Sequence, residues 1–159
     1  MQRSLVGSEM CIRDRSRTFK GRVVLSGAVK GEAAVSRQGF NTLATYYAGM
    51  VDRSPLCHDQ GNPDLYKKPI AGRIICLPQT IGSTTGGMII QCAAKIGIGP
   101  KAMLYAKHID TVSAAGILLA DIWDNNRIVC VDELGDDFLN TVKTGDTVSI
   151  AEDGTVTVG

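Results

Sequence analysis

Three hydroxyls in a row, Ser83, Thr84 and Thr85, stand between Gly82 and the pair Gly86-Gly87. An apolar run, Ile74-Ile75-Cys76-Leu77-Pro78, precedes them, and Met88-Ile89-Ile90-Gln91-Cys92-Ala93-Ala94-Lys95-Ile96 follows. That order predicts a strand, a glycine-rich loop and a helix. Backbone N–H groups at a helix N-terminus lack intrahelical partners, and the helix dipole makes the position favourable for negative charge. A serine placed there can bind a carboxylate or act as a base. It can equally cap the helix, the commoner use of such a sequence, and spacing leaves both open. The loop is not a Walker A motif, because no Gly-Lys-Ser/Thr follows, and its glycine spacing is not that of a dinucleotide fingerprint. Nor is it a nucleophile elbow, since Thr-Thr-Gly follows Ser83.

The remaining candidates are weaker. His108 stands beside Lys107 and Asp110, a trio that could hold a substrate carboxylate or form an exposed loop cluster. Lys67 and Lys68 read as a solvated loop face, or as a phosphate contact delivered with a partner. Asp132, Glu133, Asp136 and Asp137 make an acidic run; Glu133 and Asp136 suit a helix N-terminus better than a cation site. Cys57-His58 is the only adjacent ligand-type pair outside the first fifteen residues, and it falls in a loop. Cys76, Cys92 and Cys130 lie in apolar runs and read as small core hydrophobes. No gap matches zinc or iron–sulfur spacing, so the chain is expected to hold no metal of its own.

Positioning these residues requires a layered scaffold. Strands are expected at Phe19 to Val24, Ala33 to Ser36, Arg73 to Leu77, Ala102 to Ala106 and Arg127 to Val131. Thr42 to Tyr47 has β-favouring composition but little alternation, and Ser54 to Pro69 is a polar loop long enough to suggest function. The helix after the glycine loop places Thr85, Ile89, Cys92 and Ile96 on one face and ends at Gly97, Gly99 and Pro100. Further helices are expected at Asp110 to Trp123 and Asp136 to Thr141. Thr147 to Ile150 and Thr155 to Val158 form a hairpin around Asp153-Gly154. The pattern is α/β: a single layered domain whose centre alternates β-α-β-α-β between β-rich ends.

Bulk properties fit a soluble, cytosolic reading. The 159 residues are 44% hydrophobic and 21% charged, with a net charge of +1 and 5% aromatics. Nothing there suggests a nucleic-acid partner, and no apolar run approaches the ~20 residues of a membrane span. Residues 1–15, MQRSLVGSEMCIRDR, resemble translated sequencing-adapter read-through. They are read as a non-native leader, loosely attached, with the domain at 16–159 and the native N-terminus missing.

Beyond Thr18 the chain resembles the aconitase X swivel domain, the small subunit or small domain of aconitase X-type dehydratases. The resemblance is carried by GAVKGEAAVS at Gly27 to Ser36, AGRIICLP at Ala71 to Pro78, and GSTTG at Gly82 to Gly86. GPKAML at Gly99 to Leu104, TGDTV at Thr144 to Val148 and GTVTV at Gly154 to Val158 complete it. It implies a swivelling β/β/α fold and a lid-like role over a site built mainly by a larger subunit. That partner would carry the iron or iron–sulfur centre, a Lewis acid for the departing hydroxyl. Ser83 would be the base that removes the α-proton of a small hydroxy acid such as cis-3-hydroxy-L-proline or 5-phosphomevalonate. Gly82, Thr84 and Thr85 would position the substrate carboxylate. Relatives carry Ser-Phe-x-Gly-Gly before Val-Asp, where this chain has Thr45-Tyr46-Tyr47-Ala48-Gly49-Met50. The aconitase-type arginine after the Gly-Ser pair is absent too, which implies a charge partner from the larger subunit. A non-catalytic anion-binding or protein-interaction module on the same fold is the alternative.

Overall fold

The segments Ile74–Leu77, Ala102–Tyr105 and Val129–Asp132 are buried at every position. Such strands need cover on both faces, and the rest of the chain supplies it. A computed structural model describes residues 16–159; the expected leader at 1–15 lies outside the described residues. The first half runs β1 (Arg17–Lys20), β2 (Arg22–Leu25), β3 (Val29–Val35), β4 (Phe40–Asn41), α1 (Thr42–Tyr46), β5 (Ile74–Leu77) and β6 (Thr80–Ile81). Then come α2 (Gly86–Lys95), β7 (Ala102–Tyr105), α3 (Thr111–Asp124), β8 (Val129–Asp132), α4 (Asp136–Thr141), β9 (Thr147–Ile150) and β10 (Thr155–Val158).

The main sheet has the order β1-β10-β9-β3-β5-β7-β8-β2. Its β3-β5-β7-β8 segment is parallel and the other pairings are antiparallel. The two edge strands, β1 and β2, are separated in the chain by Gly21 alone, so the sheet must curl until its edges meet. Gly21 sits at that seam: its N–H donates to the Gly154 carbonyl at 3.3 Å, and a Cβ there would stand 2.5 Å from the Asp132 carbonyl oxygen. Alternation then sorts the side chains. Ile74, Cys76, Leu104 and Val131 point into the curl with Val148, Ile150, Val156 and Phe138. Ile75, Leu77, Met103 and Tyr105 point outward, against Ile89, Ile90, Ala93 and Ile117 of the helices. The α/β assignment with β-rich ends therefore stands, and the second cover is the sheet itself.

Two local expectations change. Thr42 to Tyr47 is helical, not extended. The Asn41 side chain accepts from the Ala44 N–H at 3.1 Å and caps α1, while Thr42, Thr45 and Tyr46 are buried at helical spacing. On α2 the buried face is Gly86, Gly87, Ile89, Ile90 and Ala93, with Thr85 exposed. The apolar pattern misplaced that face because glycines, which carry no hydropathy signal, are what let α3 approach.

The Ser54 to Pro69 loop folds onto itself through bridges at Leu56–Pro69 and Cys57–Tyr66. Its tip is tied to the chain after β3: Asn62 Nδ2 donates to Ser36 Oγ at 2.9 Å, and the Arg37 N–H donates to Asp64 at 2.7 Å.

Candidate functional site

The hydroxyl loop lies beyond the carboxyl end of β5, the end of a parallel strand where open α/β sheets place their ligands. Proline at position 78 ends the strand. The two-residue β6 then pairs with β4, aligning Ile81 with Asn41. Gly82 follows with φ of +100°, a left-handed conformation that favours glycine, and turns the chain into the loop. A Cβ there would also meet the Asn41 side-chain oxygen at 2.7 Å. Gly82→Ala is accordingly expected to lose about 1–2 kcal/mol of stability and to displace the loop. A thermal melt would show the loss, and hydrogen exchange at the Thr85 and Gly86 amides the displacement.

Ser83, Thr84 and Thr85 are exposed. Ser83 Oγ accepts from the Thr85 N–H at 3.2 Å and lies 2.8 Å from Thr85 Oγ1. The Gly86 N–H donates to the Ser83 carbonyl at 3.0 Å, which winds the loop directly into α2. Thr85, at the cap, makes no capping bond with its own side chain, so its hydroxyl is committed to Ser83 instead. The N–H groups of Gly87 and Met88 belong to the first turn and have no intrahelical acceptor. Oxygen, open donors and positive dipole end are thus gathered at one place.

Residues 80–84, together with Asp110 and Val112, line a cleft of about 200 Å³ around this serine. Sequence reasoning placed Asp110 with His108 and Lys107; the structure turns it the other way. Asp110 caps α3, accepting from the Ser113 N–H at 2.8 Å, and also accepts from Thr80 Oγ1. Thr80 Oγ1 lies 2.9 Å from Ser113 Oγ. Behind them the Tyr105 hydroxyl, fully buried, forms no well-made hydrogen bond. Burial alone pushes the Asp110 carboxyl up, but the bonds from Thr80 and Ser113 outweigh it and hold its pKa below the ordinary aspartate value. The signal missed in the sequence was Asp110-x-x-Ser113 opening an apolar helix, a capping pattern that fixes which way the carboxylate faces.

His108 belongs to a separate cluster. Its Nδ1 is 3.0 Å from Glu133 Oε1, and the Arg22 guanidinium lies against the ring. Glu133, at φ of +55°, does not serve a helix N-terminus; Asp136 and Asp137 occupy the first turn of α4. Asp132 is wholly buried. Arg22 donates to both its oxygens, at 2.9 and 2.6 Å, and the Ile109 N–H donates at 2.8 Å. Burial raises the Asp132 carboxyl, yet these donors prevail and its pKa is lowered. A depressed folded-state pKa stabilises above the unfolded value, about 4, and that contribution is lost as pH falls through the folded one. Asp132→Asn should therefore cost about 1–3 kcal/mol at neutral pH, with the gap to wild type closing below pH 4. Urea titrations across that range would check it.

Cys57 is buried with its thiol directed to Thr45 Oγ1 at 3.8 Å; Cys76 and Cys130 are buried, and Cys92 is half-buried. Among the described residues no group of three His, Cys, Asp or Glu side chains is placed to hold a metal ion. Lys67 and Lys68 are exposed, with Lys67 Nζ 5.3 Å from the Tyr66 ring centroid. No helix among the described residues is long and apolar enough to cross a membrane.

The family model described as the aconitase X swivel domain matches residues 18–158, from β1 to the end of β10. The chain belongs to that family. The phosphomevalonate dehydratase small subunit of Thermococcus gammatolerans is 31% identical over 141 residues, 88% of this chain and 96% of that one. Its counterpart in Pyrococcus furiosus is 33% identical over 104 residues, 65% of this chain and 73% of that one. The crystal structure of Thermococcus kodakaraensis aconitase X in its holo form superposes with a TM-score of 0.74 at 28% identity. It covers 90% of this chain and 98% of that chain. These relatives are named as small subunits of dehydratases, and the name implies a larger subunit beside them. In this swivel domain the serine loop and Asp110 both stand beyond the carboxyl ends of the parallel strands, with the antiparallel strands closing the curl behind.

Proposed function

We propose that this aconitase X swivel domain is the small subunit of a heteromeric hydro-lyase, with Ser83 as its catalytic base. The substrate is a small β-hydroxy acid, with 5-phosphomevalonate and cis-3-hydroxy-L-proline as the two candidates. One observation carries the reading: a single exposed oxygen, Ser83 Oγ, faces both the N–H and the hydroxyl of Thr85 at the start of α2.

A serine hydroxyl is a poor base in water, because its alkoxide is too costly to form. Two donors aimed at Oγ and the positive end of a ten-residue helix lower that cost. Deprotonated Ser83 then takes the proton from the carbon next to the substrate carboxylate. Gly82, Thr84 and Thr85, with the open N–H groups of α2, orient that carboxylate so that the C–H bond faces Oγ. The departing hydroxyl leaves from the adjacent carbon, on the side the larger subunit covers.

An iron or iron–sulfur centre, expected of the family, does not fit this chain's own described residues, where no ligand group is assembled. It is assigned to the larger subunit, where it would act as a Lewis acid on the departing hydroxyl. The chain alone is then half a site and inactive. Co-expression with an aconitase X-type large subunit tests the reading. A stable pair that dehydrates either acid is expected; absence of any complex would leave an anion-binding or interaction module.

A further inference from the structure

The cleft around Ser83 has an electrostatic conflict. The site just described takes a substrate bearing a carboxylate, yet the one charged group among the residues lining the cleft is itself a carboxylate, Asp110. Two like charges sharing one small cleft repel each other. Protonation does not relieve this at neutral pH, since the bonds from Thr80 and the Ser113 N–H hold the carboxylate ionised. Those two bonds also fix its direction. Thr80 belongs to β6, immediately before the serine loop, and Ser113 to the first turn of α3. The Ser113 hydroxyl adds to those bonds, and the carboxylate keeps its full negative charge at the edge of the cleft.

The surroundings go beyond what capping requires. Asp110 would cap α3 through the Ser113 N–H alone. Here Thr80 and Ser113 bring hydroxyls to the same spot, and the buried Tyr105 hydroxyl faces them from below without a well-made bond. A buried phenol left in that state costs stability, and it lies beside Thr80 and Ser113, the first of which lines the cleft. No lysine, arginine or histidine among the described residues lines the cleft to balance the charge.

We propose that Asp110 receives a cation in the assembled enzyme, an ammonium or guanidinium seated between it and the substrate carboxylate. This rests on the hydro-lyase reading, which supplies the substrate's charge. The chemistry is the same whether the cation is a side chain of the larger subunit or the amine of the substrate. Seated there, it removes the repulsion and holds the substrate carboxylate against the start of α2. Asp110 is then a binding residue of the composite site, and Ser83 remains the base.

Asp110→Asn tests this in the two-subunit enzyme. Asparagine caps a helix as well as aspartate does: its side-chain oxygen accepts from the Ser113 N–H and its amide donates to Thr80 Oγ1, so charge is the main thing removed. Turnover and binding of 5-phosphomevalonate, which has no nitrogen, are compared with those of cis-3-hydroxy-L-proline, and subunit affinity is measured in parallel. The expected loss is about ten- to a hundredfold, the worth of one charge-assisted hydrogen bond. If the amine is the cation, the loss is confined to the hydroxyproline and appears in KM. If the larger subunit supplies it, both acids suffer and the subunits bind each other more weakly. Turnover, binding and assembly all within twofold of wild type, or tighter binding of either acid, would overturn the proposal. A wild-type pair that dehydrates neither acid would instead count against the hydro-lyase reading, and the binding and assembly measurements would still decide the role of Asp110.

Discussion

Ser83→Ala is expected to lower kcat of the assembled enzyme by about a thousandfold or more, with subunit affinity unchanged. The size follows from the proposed role: without Oγ the base is gone, Asp110 being tied to Thr80 and Ser113, and donors that stabilised an alkoxide have nothing to stabilise. The fold should not notice. Ser83 is exposed, and the Thr85 N–H that loses its acceptor can turn to water. KM should move little, because the proposed site holds the carboxylate through Gly82, Thr84, Thr85 and the start of α2. Steady-state kinetics on the reconstituted pair, with circular dichroism and a subunit titration as controls, separate these outcomes. If the variant keeps a tenth of its turnover, Ser83 is a capping residue and the base lies in the other subunit.

Much of this architecture was legible in the chain. Continuous apolar runs at Ile74–Leu77 and Ala102–Tyr105 gave the buried strands, and Gly97 with Pro100 gave the end of α2. The serine loop fell where strand, glycines and helix placed it. Less visible were features that depend on partners far apart in sequence. The chain closes its sheet through Gly21, whose neighbours are Asp132 and Gly154, and no local pattern announces that. Thr42 to Tyr47 had β-favouring composition without a strand's alternation, and a cap at Asn41 and burial at helical spacing overrode the preference. The cleft was half seen. Ser83 stood out by composition, whereas Asp110 was grouped with its chain neighbours His108 and Lys107. Only the fold shows that a helix cap turns it toward Thr80, while His108 leaves for Arg22 and Glu133.

Gly116→Ala should destabilise the chain by about 2–4 kcal/mol, and the sign makes this a strong test. Gly116 lies inside the fourteen-residue α3, where replacing glycine by alanine ordinarily gains about 1 kcal/mol of helix propensity. Here a Cβ would stand 2.1 Å from the Gly87 carbonyl oxygen and 2.7 Å from that residue's Cα. The obstacle is backbone, so no rotamer change relieves it, and α2 and α3 must separate. Gly87 meets the same limit from the other side, its Cβ position lying 2.3 Å from the Val112 carbonyl oxygen. The two glycines let the helices touch main chain to main chain beside their N-termini. That contact is what sets the serine loop, which leads into α2, against Asp110, which caps α3. A typical domain holds about 5–15 kcal/mol in total, so the loss would be plain in the urea midpoint. Activity in the assembled enzyme should fall as well, at temperatures where the variant is still folded, because the cleft widens before the core fails. A midpoint equal to or above wild type would mean that the helices cross with room to spare and that another contact holds the two halves of the site together.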